Sequence, residues 1–125
     1  MSKPEYPRPA GLLHNAGYSQ VVSTTGARTI YTAGQVAIDE QGALVGGADL
    51  AAQTEQAMRN VGLALVAAGA SFADVVKITT YVVNYEPEQR AIIGRARAPF
   101  FADRPPPAST LVGVSALALA EWLIE

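Results

Sequence analysis

The chain has 125 residues, of which half are apolar and only 16% are charged, with a formal net charge of −2. This length suits one domain, and a typical soluble domain carries about 25% charged residues. The low charge content indicates that self-association covers part of the surface, and the acidic balance argues against a nucleic-acid partner. The lack of cysteine excludes disulfides and thiolate chemistry, and one histidine, His14, argues against a transition-metal site.

The N-terminal residues 1–17 contain three prolines and lack the apolar stretch of a signal peptide. Proline fixes φ and biases the preceding residue toward extended geometry, so we predict an extended arm. No apolar run approaches the roughly 18 residues that a membrane helix needs. We therefore expect one domain over residues 1–125, a cytoplasmic location and no membrane partner.

The first half of the domain is predicted to begin with a meander of three strands, at residues 18–23, 29–38 and 43–45, with a turn at 39–42. The second strand has apolar residues on both faces, which predicts burial on both sides. Gly34 lies inside it and indicates a bulge or a close approach of another backbone.

A helix is predicted from the cap Asp49 to about Ala68, because apolar residues recur along it with a 3.6-residue period. Gly69 suits the left-handed residue that ends many helices. Ser71 and Asp74 resemble a capping box over one turn. The run from Val75 to Val83 is rich in β-branched residues and predicts a strand.

A second helix is predicted from Pro87 to about Phe101, although Gly94 and Pro99 weaken it. An extended loop at 103–107 leads to a strand at 109–114, and another strand begins at 122–125. The order β-β-β-α-β-α-β-β predicts an α+β fold, a mixed β-sheet with two helices packed on one face. Because the strands are apolar on both faces, a second copy of the chain is the simplest cover for the other face.

The residues alone provide few candidates for chemistry. Phosphate-binding glycine loops are absent, and residues 113–117 begin like a nucleophile elbow but lack its final glycine. Four arginines, which suit carboxylate or phosphate ligands, fall within fifteen positions: Arg90, Arg95, Arg97 and Arg104. Such clusters are usually solvated helix faces. Glu121 and Glu125 are candidate acids or bases, although glutamates at strand ends are commonly exposed and idle.

Four segments carry a recognisable pattern in their order and spacing: residues 30–36 (IYTAGQV), 49–71 with Gln53, Thr54 and Asn60, 74–77 (DVVK) and 100–114. Together they resemble the Rid family, also called YjgF/YER057c/UK114. The resemblance covers nearly the whole chain from about residue 10. It implies a chorismate-mutase-like fold, assembled as a homotrimer with a central barrel and with ligand clefts between subunits.

The resemblance also implies an activity, the hydrolysis of reactive enamines and imines to a 2-oxo acid and ammonia, with no cofactor and no metal. In the family an arginine holds the substrate carboxylate, and a glutamate near the end of the chain assists a water molecule. Here Ser109 replaces that arginine, while Ala33 and Gly94 stand where serine and asparagine are common. Tyr18 and Thr110 match the family pattern.

Glu125 matches the first glutamate of the family's C-terminal E-I-E motif, and it is the catalytic candidate in this sequence. The second glutamate of the motif, the usual catalytic candidate, is absent from the sequence, so the final strand is expected to be short. Arg104, or an arginine of residues 90–97 from a neighbouring subunit, is a candidate to bind the carboxylate in place of Ser109.

Three functions stay open at this point. The first is a Rid-like imine deaminase with altered substrate preference. The second is a non-catalytic trimer that binds a small metabolite, which the residues at 33, 94 and 109 favour. The third, an endoribonuclease or translation inhibitor, ranks well behind because of the acidic charge and the single histidine.

Overall fold

The structure is a computed structural model that describes residues 3–26 and 28–125. Its regular elements are helix α1 (Leu50–Ala67), strand β1 (Lys77–Val83), helix α2 (Gln89–Arg97) and strand β2 (Ala108–Val114). Single 3₁₀ turns at Phe72–Asp74 and Ala98–Phe101 follow the two helices. Among the described residues, no helix combines the length and the apolar character needed to cross a membrane.

Helix α1 begins and ends as the sequence predicts. Asp49 caps it, because its carboxylate accepts hydrogen bonds from Ala51 N at 2.9 Å and Ala52 N at 3.3 Å. Gly69 follows it with a φ of +76°, a conformation that costs glycine little. The capping box of Ser71 and Asp74 is also present. The local sequence signals at both ends of α1 are therefore confirmed.

Helix α2 is shorter than predicted. Pro87 lies in the turn before it, and the α-helix gives way at Ala98 to a 3₁₀ turn that contains Pro99. Proline has no backbone N–H to donate and its ring opposes continuation of an α-helix, which explains the earlier end.

Strands β1 and β2 pair in parallel, with Thr80 opposite Leu111 and Tyr81 opposite Val112. Residues 123–125 run antiparallel along the end of β1, joined by the bridge between Val82 and Ile124, so the pairing is mixed. Both helices cover the face that carries Val82, where residues from each layer form the buried core: Leu50, Val82, Ile93 and Ile124. The predicted α+β class with two helices on one face is confirmed.

The opposite face of the β1–β2 pair is open. Tyr81 and Val112 lie side by side on it, with 41% and 38% of their surface exposed. Thr79 and Thr110 form the next pair along the same face and are also exposed.

The predicted N-terminal meander is wrong as a set of regular strands. Residues 18–23, 29–38 and 43–45 make isolated bridges, such as Ser19 with Ala108 and Ile38 with Leu44, and no ladder. Burial on both sides is wrong as well, since Tyr31 is 90% exposed. A strand needs a neighbouring backbone to pair with, and within one described chain residues 29–35 have none in register. The turn at residues 39–42 is present, with Asp39 N donating to Ala43 O.

Candidate ligand-binding cavity

A cavity of about 600 Å³ opens between residues 28–35, α1, β1 and the last residues of the chain. This volume lies within the range of small-molecule sites, roughly 300–1,000 Å³. Its walls are mostly apolar, with side chains from both helices and the 3₁₀ turns, including Met58, Val61, Leu65, Phe72, Ile93 and Phe101. The rings of Phe72 and Phe101 meet edge to face at 5.4 Å, which fixes one wall.

One wall of the cavity is residues 28–35, and α1 holds this segment at both ends. Arg28 Nη2 donates to the carbonyl of Ala68 at 2.8 Å, at the C-terminal end of the helix. Asn60 Nδ2 donates to the carbonyls of Val36 and Ile38, each at 2.9 Å. Asn60 thus supplies two hydrogen bonds that a neighbouring strand would otherwise make, Arg28 ties the other end of the segment to the helix, and the segment spans the cavity between these two anchors.

Glu125 lies at the cavity, and its backbone is fixed by two hydrogen bonds with Tyr81, at 2.8 and 2.9 Å. The backbone of Gly34 passes so close to the Glu125 carboxylate that a Cβ atom at residue 34 would overlap it. The close approach at Gly34 is thus made by a side chain, whereas the sequence predicted a bulge or a close approach of backbone. Ala33, its neighbour, also lines the cavity.

Gln53 positions the end of the chain, a role that the sequence reading did not assign to it. Its side chain is wholly buried. Nε2 donates to Gly47 O at 2.7 Å and to Glu121 O at 3.0 Å, and Oε1 accepts from Leu123 N at 2.9 Å. Its signal in the sequence is an amide on the apolar face of α1, since a buried amide must find partners.

Arg97 is the arginine of the predicted cluster that lines the cavity. It is half-buried, and its Nη1 lies 3.4 Å from Thr80 Oγ1. Loss of solvent on burial lowers the pKa of Arg97 from its ordinary value. Arg90 and Arg95 are exposed, and Arg104 pairs with Asp103 at 3.1 Å. The four arginines therefore do not form one patch.

Tyr18, Ser109 and Thr110 are not among the residues that line the cavity, although Thr110 is hydrogen-bonded to one that does. Ser19, next to Tyr18, donates from its hydroxyl to Pro106 O at 2.5 Å and from its backbone to Pro107 O at 3.1 Å, so Tyr18 lies near the start of β2. Ser109 and Thr110 follow there on β2, opposite Ile78 and Thr79. Lys77, which lines the cavity, donates to Thr110 Oγ1 at 2.7 Å.

Two predicted residues show no link to the cavity in the described part of the chain. Gly94 lies in α2, and a Cβ atom there would meet no atom within 4 Å. Arg104 is occupied by its neighbour Asp103. His14 is exposed and lies 3.2 Å from Arg8, measured from Nε2 to Nη2. One chain thus brings together Ala33, Arg97 and Glu125, and separately Tyr18, Ser109 and Thr110.

Similarity to known proteins identifies the family. The sequence model of Endoribonuclease L-PSP matches residues 10–125. The crystal structure of YyfB from Yersinia pestis, a Rid-family protein of unknown function, is 41% identical and superposes with a TM-score of 0.93 over 98% of this chain and 94% of that chain. The chain belongs to the Rid family. The family prediction from the sequence is confirmed.

Other Rid proteins show how far the similarity extends. RidA from an Antarctic Psychrobacter is 28% identical over 94% of this chain and 86% of its own, with a TM-score of 0.69. Human 2-iminobutanoate/2-iminopropanoate deaminase is 43% identical over 68 residues, which are 54% of this chain and 47% of that protein. The match thus spans about half the length of this curated relative.

Proposed function

We propose that this Rid protein hydrolyses 2-imino acids, the tautomers of reactive enamines, to 2-oxo acids and ammonia. The observation that carries the proposal is that Glu125 lines an apolar cavity of substrate size, while the backbone of the segment that carries it is held by hydrogen bonds with Gln53 and Tyr81. The match to the human deaminase, whose name states this reaction, supports the same activity.

The reaction requires few catalytic groups. Water adds to the carbon of the protonated imine, the C–N bond of the adduct breaks, and the products are a 2-oxo acid and an ammonium ion. Glu125 accepts a proton from the attacking water and returns it to the departing amine, which is general base and then general acid catalysis. The hydrogen bonds that hold the backbone of Glu125 favour this role, because the reacting groups must be aligned.

Tyr18, Ser109 and Thr110 are proposed to complete the site from another subunit. They lie around the start of β2, whereas Ala33 and Glu125 lie at the cavity, so one chain presents two incomplete halves. The exposed Tyr81 and Val112 on the open sheet face support assembly as a homotrimer. Light scattering on the purified protein is expected to give the mass of three chains, and a monomer would contradict this assembly.

The activity is tested by measuring ammonia release from 2-iminopropanoate and 2-iminobutanoate generated in situ. Glu125→Gln is expected to lower the rate about 100-fold or more, as removal of a general acid–base group does. Glu121→Gln is the matched control, because Glu121 is exposed and its contact with Gln53 is made by its backbone carbonyl. Equal rates for wild type and Glu125→Gln would refute the role of Glu125.

The second candidate is a non-catalytic trimer that binds a small metabolite. Ser109 favours it, because a short neutral side chain cannot replace an arginine that holds a carboxylate. Thermal stabilisation by a metabolite without turnover would support it. If Ser109→Arg hydrolyses the imines and the wild type does not, the scaffold is competent and the natural ligand differs. RNA cleavage is disfavoured by the net charge of −2 and the exposed position of His14.

A further inference from the structure

The guanidinium of Arg97 is half-buried and has few hydrogen-bond partners. Its contact with Thr80 Oγ1, at 3.4 Å, is longer than most hydrogen bonds of this kind. In the described residues, the ion pairs involve Glu55 with Arg59 and Asp103 with Arg104, and no carboxylate lies at salt-bridge distance from Arg97. A guanidinium carries five N–H donors, so most of its capacity is open.

A half-buried cation without a counter-charge is unfavourable unless water or an anion reaches it. Burial lowers the pKa of Arg97, but an arginine stays charged at neutral pH, so the group does not become neutral instead. Arg95, two residues earlier on the same helix, is exposed. Arg97 therefore differs from its neighbour in facing the cavity rather than solvent.

The residues that line the same cavity as Arg97 define the chemistry of an anion that could bind there. Met58, Val61 and Phe101 are apolar and contribute to the walls, and Glu125 lies in the same cavity. A small inorganic anion would leave this apolar surface uncovered. A carboxylate with an apolar side chain would satisfy both the cation and the walls, since apolar contact and a few placed polar groups are typical of such sites.

We infer that Arg97 binds the carboxylate of a 2-imino or 2-oxo acid whose bulky apolar side chain fills the cavity. The inference rests on the proposed function and names its substrate class. Arg97 takes the role that Ser109 cannot perform, and it does so in the chain that also supplies Glu125. The reacting carbon, next to the carboxylate, is then held in the cavity that contains the glutamate.

The test measures binding by calorimetry, separately from turnover, on the full chain in its native assembly. The probes are 4-methyl-2-oxopentanoate, its neutral amide, and 2-oxopropanoate. Loss of a charge-assisted bidentate contact corresponds to about a ten- to a hundredfold loss of affinity. We expect this loss of affinity when Arg97→Met is compared with the wild type for the branched acid, and when the amide is compared with the acid for the wild type. Arg95→Met, the matched control, is expected to bind as the wild type does.

The side-chain preference is the second arm of the test. Each buried methylene corresponds to about a fourfold gain in affinity, so the branched acid should bind at least about tenfold more tightly than 2-oxopropanoate. Equal affinity of Arg97→Met and wild type, of acid and amide, or of branched and short acids overturns the inference. Failure of the wild type to bind the branched acid at millimolar concentration overturns it as well.

Two further measurements keep the outcomes distinct. If Arg97→Met does not fold, Arg97→Lys decides, because it keeps the charge and loses the planar fork; weaker binding is expected, and unchanged binding overturns the inference. Imine turnover is recorded in parallel. If the wild type turns over imines and Arg97→Met does so equally well, the proposed function stands and Arg97 has no role in binding the substrate. If the acid binds through Arg97 but imines are not turned over, the inference about the ligand is supported and the proposed deaminase activity is rejected.

Discussion

Residues 50–114 and residues 28–38 satisfy their backbone hydrogen-bonding groups in different ways. In the first region α1 satisfies its own backbone, and β1 and β2 pair with each other over seven residues. In the second, the backbone of an apolar segment finds no ladder and side-chain hydrogen bonds hold it. Asn60 of α1 donates to Val36 O and Ile38 O, and the segment's own Arg28 donates to Ala68 O. An extended segment supported by side chains leaves space beside it, and the cavity occupies that space.

The comparison predicts that stability depends on three polar side chains, Gln53, Asn60 and Arg28, in that order. Gln53→Ala should have the largest effect, because the wholly buried side chain makes three hydrogen bonds, with Gly47 O, Glu121 O and Leu123 N, and its truncation loses all three and leaves a space in the core. We expect a loss of about 3 kcal/mol in the free energy of unfolding. Denaturant unfolding followed by the fluorescence of the single tryptophan, Trp122, measures it.

Gln41→Ala is the control for that variant, because Gln41 is exposed in a turn and its side chain makes one weak contact at 3.4 Å. The free energies of unfolding of the two variants should differ by most of the loss expected for Gln53→Ala. Imine hydrolysis by Gln53→Ala should also fall, since the segment that carries Glu125 loses its attachment to α1. A Gln53→Ala protein as stable as Gln41→Ala would contradict the role of this amide.

Asn60→Ala should have the next largest effect, about 2 kcal/mol, because two carbonyls of the segment lose their donor. Hydrogen exchange should quicken at the amides of Ile38 and Val45, which bond within this region. Asn60→Asp sharpens the test: a carboxylate facing two carbonyl oxygens repels them, so it should be less stable than Asn60→Ala. The opposite order would show that the amide does not donate to Val36 and Ile38.

Arg28→Met should have the smallest effect of the three, about 0.5–1 kcal/mol, because its partner Ala68 O lies at an exposed helix end. Arg59→Met is the control, since Arg59 pairs with Glu55 on the solvent face of α1 and such pairs contribute about 0.5 kcal/mol or less. Limited proteolysis should cut within residues 28–35 of Arg28→Met faster than in Arg59→Met. Equal cutting would mean that Arg28 does not anchor the segment.

The family and the local elements followed from the sequence because their causes are local. Asp49, Ser71 and Gly69 act within one helical turn, and the 3.6-residue pattern of α1 and the β-branched run of β1 describe the elements that contain them. The meander failed because an apolar alternating segment becomes a strand through its partner, and the partner is a matter of long-range position. The same limit explains why Gln53 was overlooked.

The sequence by itself determined that this is a Rid protein and where α1, β1 and β2 lie. The tertiary structure decided which charged residues face a common space. Arg95 and Arg97 are two positions apart in one helix, yet one is exposed and the other lines the cavity with Glu125, which lies 28 positions further along the chain. The reason is physical: the burial of a side chain depends on what packs against its helix face, and that is set by contacts distant in sequence.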